Sequence, residues 1–370
     1  MAAKQSDIVR LLHVDPPIEE KMRRWVDVAR AMPRHVSHTV AGKAVTQSGL
    51  REVGQSIKTT AVDGFPELAG FPGPKRLNAL ARAMQPYDLI LTYGANSLDA
   101  VMAHTAFSQA YAMPPLVHHE GDRDPEPPKE GRARLLYRRV AFGRCSGIVV
   151  PNEAWEAQAL VAWQQPLGRV KRIGHGFDVR RFAAKPKPDA MPGLIKKKDE
   201  RWAGLVWDGQ DDSALSVSVE AMTKLHDGWQ LVVLADAEVR DTLLALADRN
   251  GIYHRVHLVQ PGDTLDRALG LLDVFLAIDT SLVREAMAAG LPVVTSSVGL
   301  SEDIEPGSAN LVYDDGDQLR NILDRFDRDP APFAKAGEAN RRQALAQFDE
   351  QALIGKLHRL YASAMKREKL

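Results

Sequence analysis

The sequence predicts an α/β protein of two doubly wound halves, each a parallel sheet covered by helices on both faces. Three observations predict it. Short runs rich in Val, Ile and Leu alternate with longer helical patterns, as expected of strands buried on both sides. The alternation breaks at 182–200, FAAKPKPDAMPGLIKKKDE, where three prolines, a glycine and a Lys run separate two well-patterned regions. The length, 370 residues, is too great for one ordinary domain and suits two.

Before the break, strands are expected at 7–14, 35–40, 88–92, 115–119 and 147–151, with helices at 18–31, 74–84, 97–111, 131–142 and 153–163. Asn152, directly after a strand, is placed to cap the last of these helices. Residues 42–73 have weak periodicity and several glycines and read as irregular. After the break the alternation restarts, with strands at 202–207, 230–234, 255–259, 273–278 and 292–295. Helices are expected between them at 213–225, 237–250, 265–271 and 282–289, and the chain ends in three helical segments at 317–326, 332–347 and 350–366. The expected domains are 1–175, a linker 176–200, and 201–347, with 348–370 as a terminal helix. Ligands of such sheets bind beyond the carboxyl ends of the strands, so the cleft between the halves is the expected site.

Composition narrows the function. Lys and Arg total 48, as do Asp and Glu, so no net charge steers the chain to nucleic acid. The balance is uneven: residues 1–175 carry 23 basic and 17 acidic side chains, and 176–370 carry 25 and 31. One cysteine, Cys145, excludes a disulfide framework and reads as an inert core residue. The opening MAAKQSDIVRLLHVD lacks the apolar run of a secretory signal, and the longest charge-free runs are broken by His, Gln, Pro or Gly. A cytoplasmic protein is expected.

Three segments carry candidate chemistry. In 279–294, DTSLVREAMAAGLPVV, a strand ends, Asp279 or Thr280 caps a helix, and Gly290 closes it before Pro292. First-turn amides near Thr280, Ser281 and Val283 would cradle a phosphate, and Glu285 one turn in would accept from a ribose. An ordinary helix-to-strand connection explains the same spacing equally well. In 117–124, VHHEGDRD, His118, His119, Glu120, Asp122 and Asp124 end a strand, where they could orient a hydroxyl or take its proton. Strand alternation sends His118 and His119 to opposite faces, so at most one of them faces the cleft. In 131–144, GRARLLYRRVAFGR, arginines including Arg134, Arg138 and Arg139 interleave with apolar residues at helical spacing. That pattern suits an anionic lipid surface or a lipid-linked acceptor; it also suits a solvated face balanced by the acidic residues just upstream.

EAMAAGLPVV, followed by SVGLSEDIEPGSANLVYDDGD, resembles the donor-side segment of retaining GT-B glycosyltransferases of the family-4 type, glycosyl transferases group 1. The family's pattern is E-x7-E, AMAxGxPVV and then an acidic strand-loop. The segment 173–182, with His175 in place of the usual Asn, is similar to the family's crossover between domains. The segment 117–124 resembles its "H-x-E-H-G-R-D", and the terminal 348–361 resembles the helix that returns to the N-terminal domain. The resemblance implies a GT-B fold, two Rossmann-like domains facing across a cleft, and transfer of a sugar from a nucleotide donor.

Carried over position by position, the resemblance makes Glu285 the ribose ligand and places Arg284, Ser281, Thr280 and His175 about the donor. It also exposes departures. The first Glu of E-x7-E has no counterpart. Where the family has an Arg and a Lys for the donor pyrophosphate, this sequence has Asp208 and Ser213, with Asp211 and Asp212 between them. The first strand–helix loop reads His13-Val-Asp15-Pro-Pro instead of a glycine-rich turn, and its prolines supply no amides. At about 4 Å and an effective dielectric of about 20, one unit charge pair is worth about 4 kcal/mol, so these aspartates oppose a diphosphate. A divalent ion on Asp208, Asp211 or Asp212, or a cation from Arg284 or His175, would relieve that. So would a different donor; and 208–212 also reads as a plain acidic loop before a helix cap at Ser213.

The expectation is a glycosyltransferase using a nucleotide-sugar donor and a glycan or lipid-linked acceptor, in cell-surface polysaccharide synthesis. His119, Glu120 and His118 are its catalytic candidates. No bound cofactor and no resident metal are expected, and the further partner is an anionic membrane surface on the inner face, met peripherally. The alternative is a non-catalytic GT-B-like binding or scaffold protein of a glycan assembly system. A nucleotide-sugar epimerase of the same shape fits less well, because the motif series follows the transferases.

Overall fold

A computed structural model describes residues 8–17, 24–42, 57, 59–68, 72–121, 126–209, 212–260, 262–296 and 311–370. The chain divides into two compact units, 1–175 together with 351–370, and 176–350.

The first unit runs β1 (Val9–Val14), α1 (Arg24–Arg30), β2 (Val36–Ala41), β3 (Thr59–Ala61), α2 (Pro74–Met84), β4 (Leu89–Tyr93), α3 (Leu98–Phe107), β5 (Leu116–His119), α4 (Arg132–Ala141), β6 (Gly147–Val150), α5 (Glu153–Ala157) and β7 (Val170–Arg172). Its strands lie in the order β3-β2-β1-β4-β5-β6-β7, all parallel. The chain steps outward from β1 to β3 and then returns to β4. The strand order therefore reverses between β1 and β4, and a crevice opens beyond their carboxyl ends. The sheet is buried on both faces, with Leu12, Val14 and Ile90 in one apolar cluster and Val9, Leu11 and Leu91 in another.

The second unit repeats the plan with β8 (Arg201–Val206), α6 (Asp212–Thr223), β9 (Trp229–Leu234), α7 (Arg240–Arg249), β10 (Val256–Val259), α8 (Leu265–Leu271), β11 (Val274–Ala277), α9 (Val283–Ala288), β12 (Val293–Ser296), β13 (Leu311–Tyr313), α10 (Gly316–Arg328) and α11 (Ala331–Gln347). The order β10-β9-β8-β11-β12-β13, again all parallel, reverses between β8 and β11. The last helix, α12 (Glu350–Ala364), lies from Gln351 onward in the first unit. Its Leu353, Ile354, Leu357 and Tyr361 fill the same cluster as Val9, Leu11 and Leu91.

The expected elements recur, with informative differences. The stretch read as irregular contains β3, and β7 and β13 are likewise unexpected. Each is a three-residue strand at or next to a sheet edge, too short for alternation to register. The helix expected over 153–163 is α-helical only to Ala157 and widens into a π turn at Gln158–Ala162. Asn152 does cap it, accepting from the Trp155 amide at 3.0 Å. The segment 176–200 groups with the second unit instead of standing apart. Val179, Phe182 and Met191 are buried in that unit's core, which anchors an otherwise proline-broken stretch.

Candidate functional site

At the first unit's switch point lies a cavity of about 210 Å³, lined among others by Asp15, Tyr93, Asn96, Glu120, Arg138 and Trp155. Asp15 follows β1, Tyr93 ends β4, and Glu120 follows β5, so three strand ends build it. Doubly wound sheets place ligands at such a position.

Asp15 is held in an unusual way. Its backbone has φ +54°, left-handed for a residue with a side chain, and its amide donates to the Ala41 carbonyl at 2.7 Å. Gly42 packs against it so closely that a Cβ there would stand 2.9 Å from the Asp15 Cα. Hence the glycine that follows β2 is needed for Asp15 to occupy its place.

Glu120 is the centre of a buried ionic network. Its Oε2 lies 2.8 Å from His118 Nε2, and its Oε1 lies 2.6 Å from Arg138 Nη1. The Arg138 contact is an ion pair lying off the N–H direction, not a directed hydrogen bond. The same guanidinium donates through Nε to Glu130 Oε1 at 2.8 Å and lies 4.7 Å from the Trp163 ring. Burial pushes the Glu120 carboxyl up, but Arg138 and His118 together outweigh it and hold it below the usual carboxylate range. Behind this, His118 Nδ1 is bonded to Thr92 Oγ1 at 2.8 Å.

A second buried chain runs along the other side of the sheet. His38 Nδ1 meets His13 Nε2 at 3.1 Å, and His13 Nδ1 meets Tyr93 Oη at 2.9 Å. The Tyr93 ring stacks on His119, 5.0 Å between centroids, and His119 Nε2 is bonded to Tyr361 Oη at 2.9 Å. Desolvation first, then the neighbouring His38 and His119, hold His13 well below its ordinary value. Burial brings His38 down to about 4. The His13 and His38 imidazoles are thus neutral hydrogen-bonding groups at neutral pH.

These contacts revise the catalytic candidates. His118 and His119 do point to opposite sides, but both are enclosed, at 0% and 5% exposure, and neither lines the cavity. Glu120 reaches the cavity wall with both oxygens already engaged. Asp122 and Asp124 lie outside the described residues. The outward reading of Arg138 is wrong: it is 1% exposed, because two buried carboxylates require a cation between them. Arg139 is half-buried and donates to the Ala162 carbonyl at 2.9 Å, while Arg134 is exposed. Cys145 is buried, and burial pushes its thiol up to about 12 against a small opposing effect of Arg169, as suits an inert core cysteine.

In the second unit the donor-side candidates gather beyond β8 and β11, the strands flanking that unit's switch point. Asp208 is exposed just past β8 and Ser213 is exposed in the first turn of α6; Asp211 and the Asp212 side chain lie outside the described set. Past β11 the helix starts within one residue of the expected 282, but its cap differs. Asp279 forms a local turn, accepting from the Ser281 amide at 2.7 Å, and α9 begins at Val283 after a left-handed Leu282 with φ +55°. Neither Asp279 nor Thr280 caps it. Glu285 lies half-buried in its first turn. Arg284 lies over the Phe348 ring at 4.9 Å. His175, half-buried, closes the first unit's main segment. Among the described residues no group of three or more His, Cys, Asp or Glu side chains is placed to hold a metal ion.

Sequence reasoning missed His38, Tyr93 and Tyr361. The parallel register of β1, β2, β4 and β5 brings His38 and Tyr93 into line with His13 and His119, and α12 brings Tyr361 to His119.

Residues 204–328 match the family described as glycosyl transferases group 1. No curated protein matches the sequence. Among solved structures, Anabaena HepE in complex with UDP is 16% identical with a TM-score of 0.61, over 96% of this chain and 99% of that one. The fold is GT-B. A glycosyltransferase from Rickettsia africae ESF-5 is similar at 12% identity and TM-score 0.65, covering 97% of this chain and 99% of its own. The sucrose-phosphate synthase of Thermosynechococcus elongatus is 18% identical with TM-score 0.56, covering 97% and 99%. The GT-B likeness thus spans both units, and the family match falls wholly within the second, from β8 through α10.

Proposed function

We propose that this protein is a glycosyltransferase that moves a sugar from a nucleoside-diphosphate donor to a hydroxyl on a glycan or lipid-linked acceptor. The observation that carries the reading is the group-1 match over 204–328, which includes Glu285 on the helix following β11. HepE, similar in fold, binds UDP. In the transfer, the bond from sugar to diphosphate breaks as the acceptor oxygen bonds to the anomeric carbon, and the hydroxyl proton leaves with the diphosphate. The family resemblance gives Glu285 the role of accepting from the donor ribose and sets Thr280 and Ser281 about the donor. Retention of configuration, and a role in cell-surface polysaccharide synthesis, follow from the family resemblance. The exposed face of α4 and the turn after it support contact with an anionic membrane on the cytoplasmic side: Leu136 and Val140 are 61% and 50% exposed, beside exposed Arg132 and Arg134 on α4 and Arg144 just past it.

The test is a thermal-shift and nucleotide-release screen with nucleoside diphosphates and their sugars, with and without Mg²⁺ or Mn²⁺. Stabilisation by one nucleotide class, with release of diphosphate when a glycan is added, supports the enzyme. One observation favours a second reading, a non-catalytic binding or scaffold protein: exposed Asp208 stands where the family places an Arg for the pyrophosphate. No stabilisation by any nucleotide under any metal condition would select it.

A further inference from the structure

β10 is an outer strand of the second sheet, and β9 is its one partner strand among the described residues. The Val259 carbonyl accepts from the Ala235 amide at 3.1 Å, so Val259 and His257 turn their backbone groups to β9. Successive residues of an extended strand turn amide and carbonyl to opposite sides, so those of Val256, Leu258 and Gln260 point away from the sheet. Edges of this kind are commonly blunted by Lys, Pro or a bulge; β10, Val-His-Leu-Val, pairs without interruption and has none of these. A groove of about 680 Å³ runs along it, from Tyr253 and His254 before the strand to Gln260 and Thr264 after it. The strand β9 stands between this edge and the unit's switch point at β8 and β11.

The two flanks of the groove differ. Val256 and Leu258 pack on the apolar cluster shared with α7, and on that side Arg240 and Leu244 line the groove. Val259 packs on the opposite cluster, and on that side Met191 and Leu194 line it. Arg240 is exposed and has no ion pair among the described residues, and no Asp or Glu is among the described residues of the lining.

We infer that the groove takes an extended acidic peptide of a partner protein as an added strand on β10. Backbone groups of the peptide bond to those of Leu258 and its outward-facing neighbours, and the side chains supply the selectivity. A strand's period of two sends alternate side chains to the two flanks, apolar ones against Met191 and Leu194 and acidic ones toward Arg240. A second copy of this chain is a poorer occupant. A two-fold contact sets the Arg240 end of one groove over the His254 end of the other, base against base, with no lining acid to offset them. The inference does not depend on the proposed transferase.

The experiment uses the full chain and a fluorescent peptide, acetyl-Glu-Val-Glu-Val-Glu-Val-amide, followed by anisotropy, with the Lys-Val counterpart as control. The Glu-Val peptide is expected to bind and the Lys-Val peptide to bind about tenfold more weakly or not at all. Two further probes carry N-methyl groups on the valine amides alone or on the glutamate amides alone. An added strand turns one of these sets to β10 and the other to solvent, so one methylated peptide should lose about tenfold in affinity and the other should bind as the parent does. Exposed Arg240→Glu should keep the native melting temperature, weaken the Glu-Val peptide about tenfold and gain the Lys-Val peptide. Hydrogen exchange locates the contact: the Leu258 amide should exchange about tenfold more slowly in the complex. No binding of the Glu-Val peptide overturns the inference, as do equal effects of the two methylations, affinity unchanged by Arg240→Glu, or unchanged exchange at Leu258. A native dimer that dissociates as the peptide binds, seen by sedimentation, gives the groove to a second copy and overturns it too. None of these readouts involves a nucleotide, so the proposed function and this inference fail separately.

Discussion

Arg138 Nη1 stands 2.6 Å from Glu120 Oε1, and the two side chains are 1% and 3% exposed. A helix whose sequence reads as a basic surface therefore turns one arginine inward, as the counter-charge for carboxylates on two sides. Arg134 and Arg138 are one turn apart on the same side of the helix, so position along it makes the split: Arg138 lies near buried Ala141 and Phe142, and Arg134 lies one turn nearer the exposed start of α4.

The first prediction contrasts these two arginines. Arg138→Ala leaves Glu120 and Glu130 buried without their cation and is expected to cost about 3–5 kcal/mol. Arg134→Ala, on the exposed face, should stay within about 0.5 kcal/mol of the native protein. Urea unfolding of the two variants checks this; equal stabilities would mean that the network carries no weight.

Acid should destabilise the first unit through its histidines. The unfolded chain binds protons on His13 and His38 near pH 6.5, whereas the folded state holds His38 down at about 4 and His13 well below 6.5. Their contribution is thus complete above pH 6.5 and is lost as the pH falls from 6.5 toward 4. The slope is about 1.4 kcal/mol per pH unit for each histidine, and His38 accounts for about 3 kcal/mol across its window. Unfolding free energies measured at half-unit steps from pH 7.5 to 4.5 check it. His38→Gln should flatten the curve by about the slope of one histidine; an unchanged slope would show that His38 is not the group responsible.

Gly337 on α11 meets the backbone of Gly290, and a Cβ built on Gly337 would come 2.1 Å from the Gly290 carbonyl oxygen. The turn after α9 must then move, and with it Asn340, whose side chain donates to the Leu291 carbonyl at 2.9 Å. Gly337→Ala is expected to destabilise by about 1–3 kcal/mol, because a packed backbone contact yields less readily than a side chain. Thermal unfolding reads the effect, with exposed Gly168→Ala as the neutral control.

The doubly wound halves were legible because their central strands are continuous apolar runs with one periodicity to obey, as in Leu89–Tyr93 or Trp229–Leu234. The three-residue edge strands were not, since three positions cannot show alternation. At the candidate site, position read through and commitment did not. Glu120 was legible as a strand-end carboxylate, but its engagement with Arg138 depends on where α4 carries that side chain, 18 positions on, which no local pattern encodes. Asp15 was visible only as part of a loop with too many prolines; its close backbone neighbour is Gly42, 27 positions on, just past the neighbouring strand. The cap of α9 was misassigned because Asp279 has two local uses, as a helix cap or as a turn acceptor for Ser281. Sequence alone does not choose between them.

The last prediction concerns the altered phosphate position and separates the enzyme from the scaffold. Asp208 and Ser213 are both exposed beyond the carboxyl end of β8, so replacing them leaves the core untouched. Asp208→Arg with Ser213→Lys restores the residue types that the resembled family sets against a pyrophosphate. Asp208→Arg turns one repulsion into an attraction, and Ser213→Lys adds a second cation. Solvent screening reduces each from its close-contact value, and about a tenfold gain in nucleoside-diphosphate affinity is the expected net result at low salt. Titration calorimetry of native protein and double variant, each with and without Mg²⁺, gives the comparison. Binding by the native protein that needs Mg²⁺, replaced in the variant by binding that does not, identifies an enzyme that uses a metal where relatives use side chains. Metal-independent native binding that rises in the variant identifies an enzyme with a weakened donor site. Absence of native binding under either condition, followed by gain in the variant, identifies a transferase fold that has lost its donor. Affinity unchanged by the two new cations would place the diphosphate elsewhere in the unit and remove Asp208 and Ser213 from the donor site.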